Sequence, residues 1–99
     1  MASNPPASAP AANRQTFFVF VRVDLGKTYE VGRRIIKDVP YVAEVSSVSG
    51  TWDLLVKLVI DTREDVGELI NENLSAIPGI KRTKTMVAYF VYNKEDVFF

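Results

Sequence analysis

Ninety-nine residues make one domain at most, and twelve basic side chains balance twelve acidic ones, so no global field draws the chain to nucleic acid or to an anionic membrane. The sequence contains neither cysteine nor histidine, which excludes disulfides, thiolate metal sites, a cysteine nucleophile and Ser-His catalysis. No metal, no cofactor and no catalytic residue is therefore expected. No stretch approaches the roughly 18 apolar residues of a membrane span, and the first residues lack the basic and apolar regions of a signal peptide, so a soluble, cytoplasmic protein is the expectation.

Residues 1–15 are rich in Ala, Pro, Ser and Asn and carry no aromatic side chain; without apolar surface to offset the entropy of ordering, they read as a disordered N-terminal arm. The remaining roughly 85 residues form a small core, and self-association is a natural way to add to the surface that so short a domain buries. Phe17 to Asp24 reads as a strand, with Phe17, Val19, Val21 and Val23 on one face and Phe18, Phe20 and Arg22 on the other. A strand apolar on both faces must be covered on both, and one helical layer covers only one. After the turn Leu25-Gly26-Lys27, Thr28 to Lys37 reads as a helix whose apolar positions are Val31, Ile35, Ile36 and Val39, closed by Pro40. Gly32 within it is either a close approach to the sheet or a weak spot.

Tyr41 to Ser49 and Trp52 to Ile60 read as two strands joined by a hairpin at Gly50. The second of these is again apolar on both faces, which places it beside the first strand at the centre of a sheet. Asp61 and Glu64 have the spacing of a capping box with Asp61 as the cap, and Val66, Leu69, Ile70, Leu74 and Ile77 follow at helical period. Pro78-Gly79 stops that helix, and Ile80 to about Tyr92 reads as the last strand. Residues 93–99 form a C-terminal tail whose Val97-Phe98-Phe99 tip reads as a group that docks on a neighbouring surface.

The order β-α-β-β-α-β repeats one βαβ unit, for Asp24 and Asp61 each close a strand and Pro40 and Pro78 each close a helix. The expected fold class is α+β: a ferredoxin-like βαββαβ sandwich over residues 16–92, a four-stranded antiparallel sheet with two helices on one face, dimerising sheet-to-sheet through the face bearing Phe18 and Phe20.

Val48-Ser49-Gly50-Thr51-Trp52-Asp53-Leu54-Leu55 resembles the pattern V-T/S-G-x-aromatic-D-L/Y-L of the Lrp/AsnC family, and Ile77 to Thr85 is similar to that family's I-P-G-V-x-x-T-x-T. The resemblance implies an effector-binding (RAM) domain whose sheet-to-sheet homodimers assemble into a higher ring, an octamer or similar, with small ligands, usually amino acids, bound between dimers. Intact regulators of the family also carry an N-terminal helix-turn-helix, which residues 1–15 do not form. The resemblance thus implies a stand-alone effector domain without direct DNA binding.

Carried over by position, the family's ligand-contacting turn falls on Gly50, Thr51, Trp52 and Asp53, and the threonines of its last strand fall on Thr83 and Thr85. A carboxylate such as Asp53 suits an ammonium, while turn amides and hydroxyls suit a carboxylate. Asp53 has an alternative use, tying up its own hairpin, and the threonines an alternative meaning as good β-formers. Lys81, Arg82 and Lys84 form the densest basic cluster, although along a strand Lys81 faces away from the other two. Three roles remain in view: an amino-acid sensor, an oligomerisation partner for full-length Lrp/AsnC regulators, and a small ferredoxin-like enzyme.

Overall fold

The computed structural model describes residues 14–61, 63–90, 92 and 94. The elements run in the expected order: β1 (Arg14–Val23), α1 (Thr28–Asp38), β2 (Val42–Ser47), β3 (Leu54–Asp61), α2 (Val66–Leu69) continuing into a π-helical segment (Ile70–Leu74), and β4 (Ile80–Ala88). All strand pairs are antiparallel and the sheet order is β2-β3-β1-β4. The two strands that are apolar on both faces, β1 and β3, are the central pair, each with a hydrogen-bonded neighbour on both sides.

Register decides which residues meet. Val19 lies opposite Val56 and Phe17 opposite Leu58, so one face of β1 and one face of β3 form a continuous apolar layer. Val31, Ile35 and Val39 of the α1 region pack on that layer together with Ile70, Leu74 and Ile77. Ile36 departs from expectation and is 53% exposed, because its position directly after Ile35 turns it away from the sheet.

The opposite face of the sheet has no helical cover. Phe18 lies between Lys57 and Met86, and Phe20 between Leu55 and Lys84. Phe18, Phe20, Leu55 and Val59 are only half-buried, and Met86 is exposed.

The approach to α2 corrects the expected cap. Asp65, not Asp61, caps the helix, its Oδ1 accepting the backbone N–H of Glu68 at 3.1 Å. Asp61 is occupied by Arg63, which donates its backbone N–H at 2.9 Å and its Nε at 3.0 Å to Oδ1. The helix then widens, Ser75 N–H reaching back five residues to the Ile70 carbonyl at 3.0 Å. β4 ends at Ala88, short of the expected Tyr92. The arm expected over 1–15 lies outside the described residues up to 13, whereas Arg14 and Gln15 pair in β1 with Asp61 and Ile60. Apart from Lys94, the 93–99 tail and its expected docking also lie outside the described residues.

Three glycines occupy positive φ where the chain turns: Gly26 (φ 78) between β1 and α1, Gly50 (φ 99) in the β2–β3 hairpin and Gly79 (φ 98) before β4. A Cβ on Gly79 would also stand 3.0 Å from Val31 Cγ2, so both backbone and packing oppose a side chain. A Cβ on Gly32 would meet Leu54 Cδ2 at 3.6 Å, an ordinary contact. Gly32 is therefore a weak spot in α1 and not an obligatory close approach.

Chemical denaturation at fixed protein concentration should therefore separate the two sites: Gly32→Ala is expected to raise stability by about 0.4 to 1 kcal/mol, and Gly79→Ala to lower it by about 1 to 3 kcal/mol. Hydrogen bonds from the Arg63 side chain and backbone hold the Asp61 carboxyl well below the usual carboxylate range, at about 2. A depressed folded pKa favours the folded state above the ordinary carboxylate pKa, and that contribution is lost as pH falls toward about 2. In Arg63→Gln, an NMR titration should find the Asp61 midpoint moved up toward the usual carboxylate value.

Candidate functional site

Three strand ends meet at one edge of the sheet: the end of β1, the start of β3 and the start of β4. Asp53 is the residue that joins them. Its N–H donates to the Val21 carbonyl at 2.9 Å, and its carbonyl accepts the Val48 N–H at 3.0 Å, closing the hairpin. Its carboxylate Oδ2 accepts the Val23 N–H at 2.9 Å. The backbone of Asp53 thus closes its own hairpin, whereas its carboxylate spends one oxygen on β1 and ties the hairpin to that strand. The second, Oδ1, takes no hydrogen bond among the described residues.

Beside Asp53 lies a cleft of about 270 Å³, whose polar groups come from Arg22, Asp24, Thr28, Asp53 and Lys81 around the Leu25-Gly26 turn. The chain brings them together by register and turn geometry. The Asp24 N–H donates to the Gly79 carbonyl at 2.8 Å, and the Lys27 N–H to the Asp24 carbonyl at 3.0 Å, which sets the start of α1 against the start of β4. Lys27 in the cap position makes no side-chain cap bond, so the first turn of α1 keeps unsatisfied N–H groups and the positive end of its dipole at Thr28. The cleft thus holds two carboxylates, two cations and a helix N-terminus, in a volume slightly below the roughly 300 to 1,000 Å³ of sites for drug-sized ligands.

Larger grooves of about 590 Å³ and about 420 Å³ flank the outer face of α1. Most of their charged groups are already engaged: Arg34 Nε lies 2.6 Å from Asp38 Oδ2, Arg33 Nη1 donates to the Tyr29 hydroxyl at 3.2 Å, and Glu30 lies 3.8 Å from Lys27, which leaves Lys37 as the exception among the described residues. The smaller cleft is chemically the better site, because it gathers both signs of charge beside a helix start, and Asp53 Oδ1 and the Lys81 ammonium make no hydrogen bond or ion pair among the described residues.

The expected site residues divide into three places. Asp53 lines the cleft. Gly50, Thr51 and Trp52 form the hairpin tip; the Thr51 carbonyl accepts Arg22 Nη1 at 3.1 Å, and the Trp52 ring stands 5.9 Å from the Phe20 ring. Thr83 and Thr85 lie opposite Val21 and Val19, on the helix-bearing face of the edge strand β4, and do not line the cleft within one chain. Sequence reasoning did not assign Arg22, Asp24, Thr28 and Lys81 to the site. Their signal lies in the β1–β4 register, which shifts at a bulge between Arg22 and Val23 and is not visible in local patterns. Among the described residues, no cluster of His, Cys, Asp or Glu is placed to hold a metal ion, and no helix is long and apolar enough to cross a membrane.

Comparison with known proteins places this geometry in a family. The family model of the Lrp/AsnC ligand binding domain matches residues 16–97. An uncharacterised HTH-type transcriptional regulator of Pyrococcus furiosus is 42% identical over 85 residues, 83% of this chain, and the match spans 55% of the relative's length. Among solved structures, TTHA0845 from Thermus thermophilus superposes with a TM-score of 0.72 at 29% identity, over 81% of this chain and 99% of that one. The transcriptional regulator NMB0573 of Neisseria meningitidis, solved as an L-Met complex, shares the fold at a TM-score of 0.67 and 13% identity, over 77% of this chain and 50% of that one. The motifs around Gly50 and Gly79, the βαββαβ sheet and the match along nearly all of the described residues converge: the chain belongs to the Lrp/AsnC ligand-binding-domain family.

Proposed function

We propose that the chain is an effector-binding and oligomerisation module that takes an amino acid in the Asp53 cleft and thereby biases its own assembly. The observation that carries this reading is Asp53 Oδ1, which takes no hydrogen bond among the described residues, in a cleft that also offers cations and a helix start without a side-chain cap. The ligand's ammonium pairs with Asp53. Its carboxylate meets the first turn of α1 and the Lys81 ammonium. The uncovered faces bearing Phe18 and Phe20 close against each other in a homodimer, and dimers associate into a ring, an octamer or similar. Thr83 and Thr85 reach the ligand from a neighbouring dimer, which makes the site complete only in the assembly. A ligand held at such a junction favours the assembly that completes its contacts, which is population shift by differential affinity. The L-Met complex of the Neisseria meningitidis regulator supports an amino acid as the ligand class.

This role is regulatory and not enzymatic, in keeping with the relatives' description as transcriptional regulators. The chain spans about half the length of the HTH-type relatives it matches; a second reading, supported by the relatives' description as HTH-type transcriptional regulators, is assembly with full-length Lrp/AsnC regulators without a ligand of its own. In that reading DNA contact belongs to the partner and not to this module.

Trp52 is the only tryptophan and lies at the hairpin tip next to Asp53, so intrinsic fluorescence reports on the site. Titration with each standard amino acid should give a saturable change for a few of them. Asp53→Asn, which keeps an acceptor for the Val23 N–H but loses the charge, should weaken that response by about 10- to 100-fold. A flat response from an intact oligomer to every amino acid, combined with mixed complexes on adding a full-length regulator, would favour the second reading.

A further inference from the structure

Arg22 of β1 and Arg82 of β4 lie directly opposite each other, both exposed, on the face of the sheet that carries Phe18 and Phe20. Like charges at directly opposed positions repel. Asp24 and Asp53, the acids nearest Arg22, line the cleft on one side of the pair, and neither arginine forms an ion pair among the described residues. Arg22 spends one N–H on the Thr51 carbonyl, at 3.1 Å. Arg82 places its guanidinium carbon 5.3 Å from the centroid of the Trp52 ring, which itself rests on Phe20. Lys84 follows on the same face of β4, opposite Phe20. The hairpin tip therefore holds Arg82 over an aromatic ring and Arg22 on a backbone carbonyl. A guanidinium over an indole still directs its N–H edge outward, the edge that matches a carboxylate or a phosphate in bidentate fashion.

We propose that Arg22 and Arg82 form an oxyanion clamp walled by Trp52. Arg22 is the last residue of β1 on this face before the bulge, so the pair lies at the strand-end rim of the face, beyond the Phe18 and Phe20 positions through which copies would pack, and Arg22 also borders the Asp53 cleft. The clamp is thus continuous with the cleft, and it defines the ligand class: an amino acid with a second anionic group, whose α-groups lodge at Asp53 and whose side-chain oxyanion bridges Arg22 and Arg82. The oxyanion supplies the counter-charge that the opposed arginines lack. This assignment rests on the amino-acid reading of the cleft, but its residues are separable from it, because Arg82 does not line the cleft.

The test is a Trp52 fluorescence titration of the intact chain at constant ionic strength with L-glutamate, L-aspartate, their amides L-glutamine and L-asparagine, and inorganic phosphate, repeated on Arg82→Gln. An acid is expected to saturate at a concentration at least about tenfold below its amide. Arg82→Gln is expected to abolish that preference while leaving the response to the amide in place. Equal responses to acid and amide in both proteins, with none to phosphate, overturn the clamp and leave the cleft reading standing. A phosphate response that depends on Arg82, with no preference for the acids, overturns the side-chain source and assigns the clamp to a free oxyanion. An Arg82-dependent phosphate response with no response to any amino acid overturns the cleft reading and upholds the clamp.

Discussion

β1 is apolar on both faces, and most of the molecule's organisation follows from that constraint. Phe17, Val19, Val21 and Val23 require one cover, and Phe18 and Phe20 require another. Two helical segments in one layer meet the first requirement, where Val19, Val21, Ile35 and Leu74 have essentially no exposure. The second requirement is left to another molecule. Full burial of a phenylalanine side chain favours association by about 1.5 to 3 kcal/mol before the costs of ordering, so Phe18 and Phe20 alone are a substantial drive for a second sheet to pack there. The central placement of β1 and β3, the one-sided helical layer and the expectation of a dimer are therefore consequences of one pattern.

Asp53 connects that sheet to the site. A carboxylate at the head of an apolar strand has to be satisfied, and the end of β1 supplies the N–H of Val23. The same bond fixes the hairpin tip against β1, which holds Trp52 on the uncovered face, and leaves the second oxygen of Asp53 at the cleft. In the proposed function, structural and ligand-binding uses of one side chain are divided between its two oxygens. The cleft, the hairpin tip and the proposed association face all touch β1 within a few residues, at Phe20, Arg22 and Val23, so in the proposed function a ligand at one is placed to influence the others.

Much of the fold was legible in the sequence because its signals are local and repeated. Alternation in β1 and β3 identified the central strands, Gly50 the hairpin and Pro78-Gly79 the end of the second helix. Misreadings arose where two local solutions compete. Asp61 with Glu64 and Asp65 with Glu68 offer the same capping spacing; Arg63 binds Asp61, and Asp65 caps. Ile36 fits an apolar helical stripe only if the stripe is wider than the sheet beneath it. The site was legible in part. Asp53 stood out as an acid beside an apolar run, whereas Arg22, Asp24 and Lys81 converge through a bulged register between strands separated by most of the chain.

The central claim is that the face bearing Phe18 and Phe20 is the surface through which the chain meets its own copy. Sedimentation equilibrium on the intact protein and on Phe20→Glu, with circular dichroism to verify that the variant is folded, tests it most directly. The expected result is a dimer or a multiple of dimers for the unaltered chain and a folded monomer for the variant. A monomer for the unaltered chain at micromolar concentration, or a variant that associates equally well, would contradict it.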